Sequence, residues 1–197
     1  MVVTFNPRGD TTHRANARDK HLTARKYAHY VAAFIRAHPA VEIYDAFNEP
    51  NLRTAPTAEE YRGAAGGPDL AARMTDNLQR ICTRTRSDGS PTCSVIAGSL
   101  SDGKPGFARY VRRLSDDLFS YNHDVSRPGP TPDDPAWGWH PYDDVTGQST
   151  AHTDAYVAEI RASRGNLFRS FWLTEIGGRR FKCSGAGIDA CQDAQGC

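Results

Sequence analysis

No stretch of this 197-residue sequence approaches the ~20 consecutive apolar residues that a membrane-spanning helix needs. Neither sign of charge dominates. The 24 basic and 23 acidic side chains leave a formal net charge of +1, so nothing in the balance attracts nucleic acid or an anionic membrane. The opening residues, MVVTFNPRGD, have neither the basic lead nor the apolar stretch of a secretion signal. The cysteine spacings contain no C-x2-C pair followed by a second pair, which excludes the common structural zinc patterns. Internal repeats, low-complexity segments and a linker that would divide the chain are also absent. What remains is a globular profile, 39% hydrophobic and 24% charged, long enough for one sizeable core. A monomer is expected.

Five cysteines are many for a cytosolic chain of this length. Cys82 and Cys93 flank CTRTRSDGSPTC, a Gly/Pro-containing loop that a disulfide can staple, and Cys183, Cys191 and Cys197 crowd the end. These features predict one or two disulfides and an extracellular or periplasmic setting. Unpaired thiols in the cytoplasm are the alternative, which the odd count and the missing signal support unless an N-terminal portion has been lost.

Strand-like and helix-like stretches alternate along the chain. MVVTFN is β-branched and aromatic and closes on Pro7. RGDTTHRANARDK reads as a loop, its RGD simply part of a turn. Thr23 can cap a helix to His38, where Tyr27, Tyr30, Val31, Phe34 and Ile35 recur at helical spacing and Pro39 ends the run. EIYDAFNEPNL, residues 42–52, is a strand that stops on an acid, because Pro50 and Asn51 favour a turn. A Gly/Pro/Thr-rich loop over 53–68 and a helix over 69–85 follow. CSVIAGSL, residues 93–100, reads as a buried strand, and 106–118 as a helix. Residues 120–135 form a long loop with four prolines, a length that often marks function. AWGWH, residues 136–140, is a strand, 151–164 a helix, and 167–174 a strand ending at Glu175. Such alternation implies parallel strands joined by right-handed crossovers.

Three strand ends carry chemistry: Asn48-Glu49, His140-Pro141-Tyr142 and Glu175. In a parallel α/β barrel all three fall on the rim from which catalytic groups project. Two carboxyls on one rim suit glycoside cleavage: one protonates the departing oxygen while the other attacks the anomeric carbon or activates water. Asn48 can hold a sugar hydroxyl, and His140 and Tyr142 can orient a carboxylate through hydrogen bonds. Trp137 and Trp139 alternate around Gly138 and so share a face, which is either a sugar-stacking platform or core. Trp172 reads as core.

FNEPN followed by WHPY and WLTEIGG resembles the large clan of retaining (β/α)8 glycoside hydrolases that includes the family 5 endoglycanases and family 39 relatives. The resemblance covers roughly residues 1–178. It implies a partial TIM (β/α)8 barrel made of strands three to seven, with residues 179–197 as a Cys/Gly-rich tail. It also implies that Glu49 is the acid/base, Glu175 the nucleophile, Asn48 the residue that bonds the sugar 2-hydroxyl, and His140 and Tyr142 supporting groups. Trp137 and Trp139 complete the expected substrate-binding set. Such an enzyme acts on a carbohydrate and requires no metal or organic cofactor. The clan's strand-two Arg and strand-eight aromatic have no counterpart here, and a full barrel takes about 250 residues. Two other readings stay open: a non-catalytic carbohydrate-binding barrel, and a different enzyme on the same scaffold, either an acid/base lyase or a metal hydrolase using His140, Asp143 and Asp144.

Overall fold

A computed structural model of the chain describes residues 2–5, 23–51, 67–83, 92–102, 106–126, 132–164 and 170–175. The RGD loop, most of the 53–68 loop, the centre of the proline-rich loop, Gly177–Gly178 and the Cys183, Cys191 and Cys197 tail lie outside the described residues. Among the described residues five strands and five helices follow one another: β1 (Val2–Thr4), α1 (Ala24–Ala37), β2 (Ile43–Asp45), α2 (Gly67–Cys82), β3 (Ser94–Ser101), α3 (Phe107–Asn122), β4 (Ala136–His140), α4 (Tyr142–Gly147), α5 (Ala151–Ala162) and β5 (Phe171–Leu173). The expected α/β alternation is thus present, with the short α4 added after the HPY segment. The strands form one sheet in the order β1-β2-β3-β4-β5, and every pair is parallel. Among the described residues β1 and β5 each have a single neighbour.

Local chemistry explains the elements. Thr23 caps α1, its hydroxyl accepting from the Lys26 N–H at 3.2 Å. The apolar stripe of α1 buries Tyr27 and Val31 against Tyr44 and Phe47, while Tyr30 stays exposed. Helix α2 contributes Leu70, Met74 and Leu78 to the same cluster. A second cluster gathers Tyr110, Val111, Leu114 and Leu118 of α3 with Tyr156 and Ile160 of α5. Helices α1, α2, α3 and α5 pack on one another in the order in which their strands follow. Each large apolar side chain in these clusters contributes on the order of 1.5–3 kcal/mol by leaving water. Cys82 and Cys93 are at disulfide distance, with S–S 2.07 Å, and tie the end of α2 to the start of β3.

The two faces of the sheet differ. Side chains alternate along a strand, so Tyr44, Trp137 and Trp139 turn toward the helices while Asp45, Gly138 and His140 turn the other way. This corrects one expectation. Trp137 and Trp139 share a face, but it is the helix face, and both are fully buried. Trp139 stacks on Tyr156 with ring centroids 4.3 Å apart and donates its indole N–H to the Thr153 hydroxyl at 3.0 Å. Neither ring offers a sugar platform. Trp172, expected in the core, pairs in register with Gly138 and therefore lies on the other face, where it is 39% exposed.

Gly138 is forced by the close approach of β3. A Cβ built there would lie 2.5 Å from the Ser99 hydroxyl oxygen and 2.9 Å from both Ser99 Cα and Ile96 Cγ2. The register between β3 and β4 shifts between Ile96 and Ser99, and Gly98 in that bulge has φ +116°. Gly138→Ala is expected to destabilise the fold by about 1–3 kcal/mol, the usual range for overpacking. Urea denaturation of the folded variant beside the parent measures this, and an unchanged midpoint would mean that β3 and β4 can separate at little expense.

Candidate active site

The segment after β2 is held by an unusual density of backbone bonds. Ala46 N–H donates to the Ile96 carbonyl at 2.9 Å, Asn48 N–H to Phe5 at 3.0 Å, and Glu49 N–H to Ser99 at 2.7 Å. Ser99 N–H returns a bond to the Phe47 carbonyl at 3.0 Å, so residues 46–49 continue as an irregular parallel strand beside β3. The Asn51 side chain then pairs with the Ser101 backbone, donating at 2.7 Å and accepting at 3.1 Å. The Tyr110 hydroxyl donates to the Pro50 carbonyl at 3.1 Å. This scaffold holds Glu49 at φ +51°. A non-glycine residue there costs of order 1–3 kcal/mol and persists only where its surroundings over-determine it.

The sheet brings the sequence-predicted acids together. His140, at the end of β4 and 2% exposed, places Nδ1 3.5 Å from Glu49 Oε1 and 3.8 Å from Glu175 Oε2. Sharing this one nitrogen, the two oxygens lie at most about 7 Å apart. The Tyr142 hydroxyl lies 3.3 Å from the same nitrogen. Burial raises the Tyr142 phenol well above its usual range, and its hydrogen bond to Glu175 and the charges of Glu175, Glu49 and Asp102 add to the effect. Tyr142 is therefore a hydrogen-bond donor to Glu175 rather than a phenolate. The Glu49 side chain is largely covered, at 14% exposure, whereas Glu175 is 59% exposed. Asn48 is half-buried, fixed through its backbone. Glu49, Glu175, His140 and Tyr142 thus converge, with Asn48 adjacent, and Trp137 and Trp139 lie outside the group.

Beneath these residues runs a polar layer that sequence reasoning overlooked. Asp45 is fully buried. Its Oδ2 accepts from the Ser99 hydroxyl and, at 3.4 Å, from the Thr4 hydroxyl. Its Oδ1 accepts from the Phe47 N–H at 3.3 Å. The Thr174 hydroxyl donates to Ser99 Oγ at 2.6 Å, so the layer passes from β1 to the residue beside Glu175. Burial lifts the Asp45 carboxyl to about 6, against the opposing pull of the Ser99 bond, the Phe47 N–H, the His140 charge and the Thr4 bond. One signal was visible in the sequence: an acid inside an apolar strand, IYDAF, needs partners.

A second carboxylate pair organises the turn after β4. Asp102 Oδ2 accepts the N–H groups of Asp143 at 2.7 Å and Asp144 at 3.1 Å, capping α4. Asp144 in turn accepts from the N–H groups of His152 at 3.0 Å and Thr153 at 2.7 Å, and from the Thr153 hydroxyl at 2.6 Å. Burial tends to raise the Asp144 carboxyl, but these bonds and the His152 charge prevail and hold it below the usual range. The metal set of the rival reading, His140, Asp143 and Asp144, is not the one whose ligand atoms gather among the described residues. Among the described residues the group with ligand atoms close together is Asp102, Asp144 and His152.

A cavity of about 340 Å³ opens at the other end of the sheet, lined by strand starts including Ile43, Ser94, Ala136 and Ser170, with Trp172 along it. The paired glutamates stand at the opposite, C-terminal ends of the strands. No family model, no curated protein and no solved structure matches the chain.

The Asp45 carboxyl yields a prediction with a defined sign. Its folded value of about 6 exceeds the ordinary 3.8, so the folded state binds the proton more tightly. Its stabilising contribution is full below the ordinary value and is lost as pH rises through about 6. Asp45→Asn, which cannot ionise, should match the parent at acid pH and gain on it as pH rises from 3.8 to about 6, by roughly 2–3 kcal/mol at neutrality. Urea denaturation across that range reads the difference. A constant gap between the two proteins would show that Asp45 ionises normally.

Proposed function

We propose that the chain is a retaining glycosidase that cleaves a β-glycosidic bond in an oligo- or polysaccharide, built on strands three to seven of a TIM-type barrel. One observation carries the reading. Glu49 and Glu175, 126 positions apart in the sequence, both reach the Nδ1 of His140, at 3.5 and 3.8 Å. Their oxygens lie at most about 7 Å apart, a bound that admits the ~5 Å of a nucleophile and acid/base pair and, of the ~6.5–9.5 Å of inverting enzymes, only the lower end. Sequential parallel strands with helices between them suit part of a barrel.

In this mechanism Glu175, oriented by the Tyr142 hydroxyl, attacks the anomeric carbon. Glu49 delivers its proton to the departing oxygen as the glycosidic bond breaks. Glu49 then takes a proton from water, and the water oxygen displaces Glu175 from the sugar. The role requires Glu49 protonated and Glu175 ionised at the start. Asn48 stands beside Glu49 for a sugar hydroxyl. No helix among the described residues is long and apolar enough to cross a membrane. The Cys82–Cys93 pair suits an oxidising, extracytoplasmic compartment.

A carbohydrate-binding barrel without turnover is the second reading. It is favoured by β1 and β5, each of which has an open edge among the described residues. Reducing-sugar release from β-glucans, mannans, xylans and aryl glycosides separates the two. The parent chain should be active and Glu175→Gln inactive. Glu49→Gln should lose about 10²–10⁴-fold on natural glycosides, the usual contribution of a general acid. Its loss in the glycosylation step should be much smaller on aryl glycosides whose leaving groups need no proton. Binding without turnover by the folded parent would establish the second reading.

A further inference from the structure

Beyond the paired glutamates, one other cluster joins three elements: Asp102 at the end of β3, Asp144 in α4 and His152 in the first turn of α5. We propose that these three side chains bind a divalent transition cation, Zn²⁺ or Mn²⁺, through one imidazole nitrogen and two carboxylate oxygens. The site is separate from the glycosidase reading and does not depend on it.

Distance is the first argument. The ligand atoms of the three residues lie within 4.8 Å of one another. His152 Nδ1 is 3.7 Å from Asp144 Oδ1 and 3.8 Å from Asp102 Oδ2. Both distances exceed hydrogen-bond length. At their 3.7 Å spacing, His152 Nδ1 and Asp144 Oδ1 can both reach a point about 2.0–2.2 Å away, the length of Zn–N and Zn–O bonds.

Unmet polar groups are the second argument. Asp102 is fully buried, and its Oδ1 has no hydrogen-bond partner. His152 Nδ1 is also buried and without a hydrogen-bond partner, although the rest of the ring reaches solvent. A buried carboxylate oxygen and a buried ring nitrogen left without partners are costly. A cation between them removes both deficits at once.

The surroundings fit the same purpose. The N–H bonds that cap α4 and α5 fix both carboxylates: Asp102 Oδ2 accepts two of them, which leaves Oδ1 as its free oxygen, and Asp144 Oδ1 accepts one and keeps a lone pair. Phe107 packs edge-on to the His152 ring at a centroid distance of 5.6 Å and sets its plane. The His152 side chain is 40% exposed, which gives an entry path and room for water at the remaining coordination positions. An imidazole beside two carboxylates suits zinc or manganese. Calcium and magnesium prefer sites made wholly of oxygen. The bound ion would pin the end of β3 to α4 and α5.

Mn²⁺ added to the full folded chain, with the free ion read by electron paramagnetic resonance, tests the site. The expected result is one ion bound per chain and displaced by Zn²⁺, with affinity at least tenfold weaker in His152→Ala. That variant removes a half-exposed ring, and circular dichroism verifies that it folds. Asp102→Asn, which keeps an oxygen for the α4 cap, should weaken binding as well. Failure of the folded parent to bind at millimolar Mn²⁺ would overturn the proposal. Equal binding by the parent and His152→Ala would overturn it too, because the ion would then be held elsewhere, for instance at thiols.

Discussion

Ser99 is the residue through which the strand ends are fastened together. Its hydroxyl donates to Asp45 on β2 and accepts from Thr174 next to β5. Its backbone bonds on both sides to the segment that carries Glu49. Its Cα and hydroxyl oxygen press against Gly138 of β4 so closely that no side chain fits there. One serine thus sets the positions of four neighbouring strands relative to one another. The positive φ of Glu49 persists because this network leaves its backbone nowhere else to go.

The charges follow from that frame. Parallel strands in sequential order bring their C-terminal ends to one edge, and four of those ends carry ionisable groups: Glu49, Asp102, His140 and Glu175. His140 is almost wholly buried between two carboxylates, and Tyr142 closes the group from the start of α4. A lower carboxyl, Asp45, sits in the same face and interacts with the His140 charge. The site is a stack of two polar layers, of which the outer has partial access to solvent and the inner has none. Inner acids and hydroxyls of this kind satisfy one another because water is absent.

Much of this was legible in the sequence, for identifiable reasons. The period of α1 and α2 marked their buried faces, and Thr23 marked where α1 begins. Proline after an apolar run marked Glu49 as a strand end. AWGWH was readable as a strand, and alternation told that Trp137 and Trp139 share a face. Alternation does not tell which face. That depends on the register between β4 and β5, which pairs Trp172 with Gly138 and so places the three tryptophans on opposite sides. The polar layer was hidden for a similar reason. Ser99 and Thr174 are ordinary residues in their own segments, and only a contact across 75 positions gives them a role. Helix α4 is six residues long, too short for a periodic signal, and its start is fixed by Asp102 from another strand.

The slight burial of β5 bears on how the molecule opens and closes. Trp172 and Leu173 are 39% and 49% exposed, whereas the residues of β3 that follow Ser94 are nearly all covered. Low burial at a sheet edge marks where local opening is least costly, and among the described strands β5 fits that description. Each opening of that strand carries Glu175 and Thr174 away, while Asp45, Ser99, His140 and Glu49 stay seated on the inner strands. The pairing of the two acids is then an equilibrium property of one short edge strand.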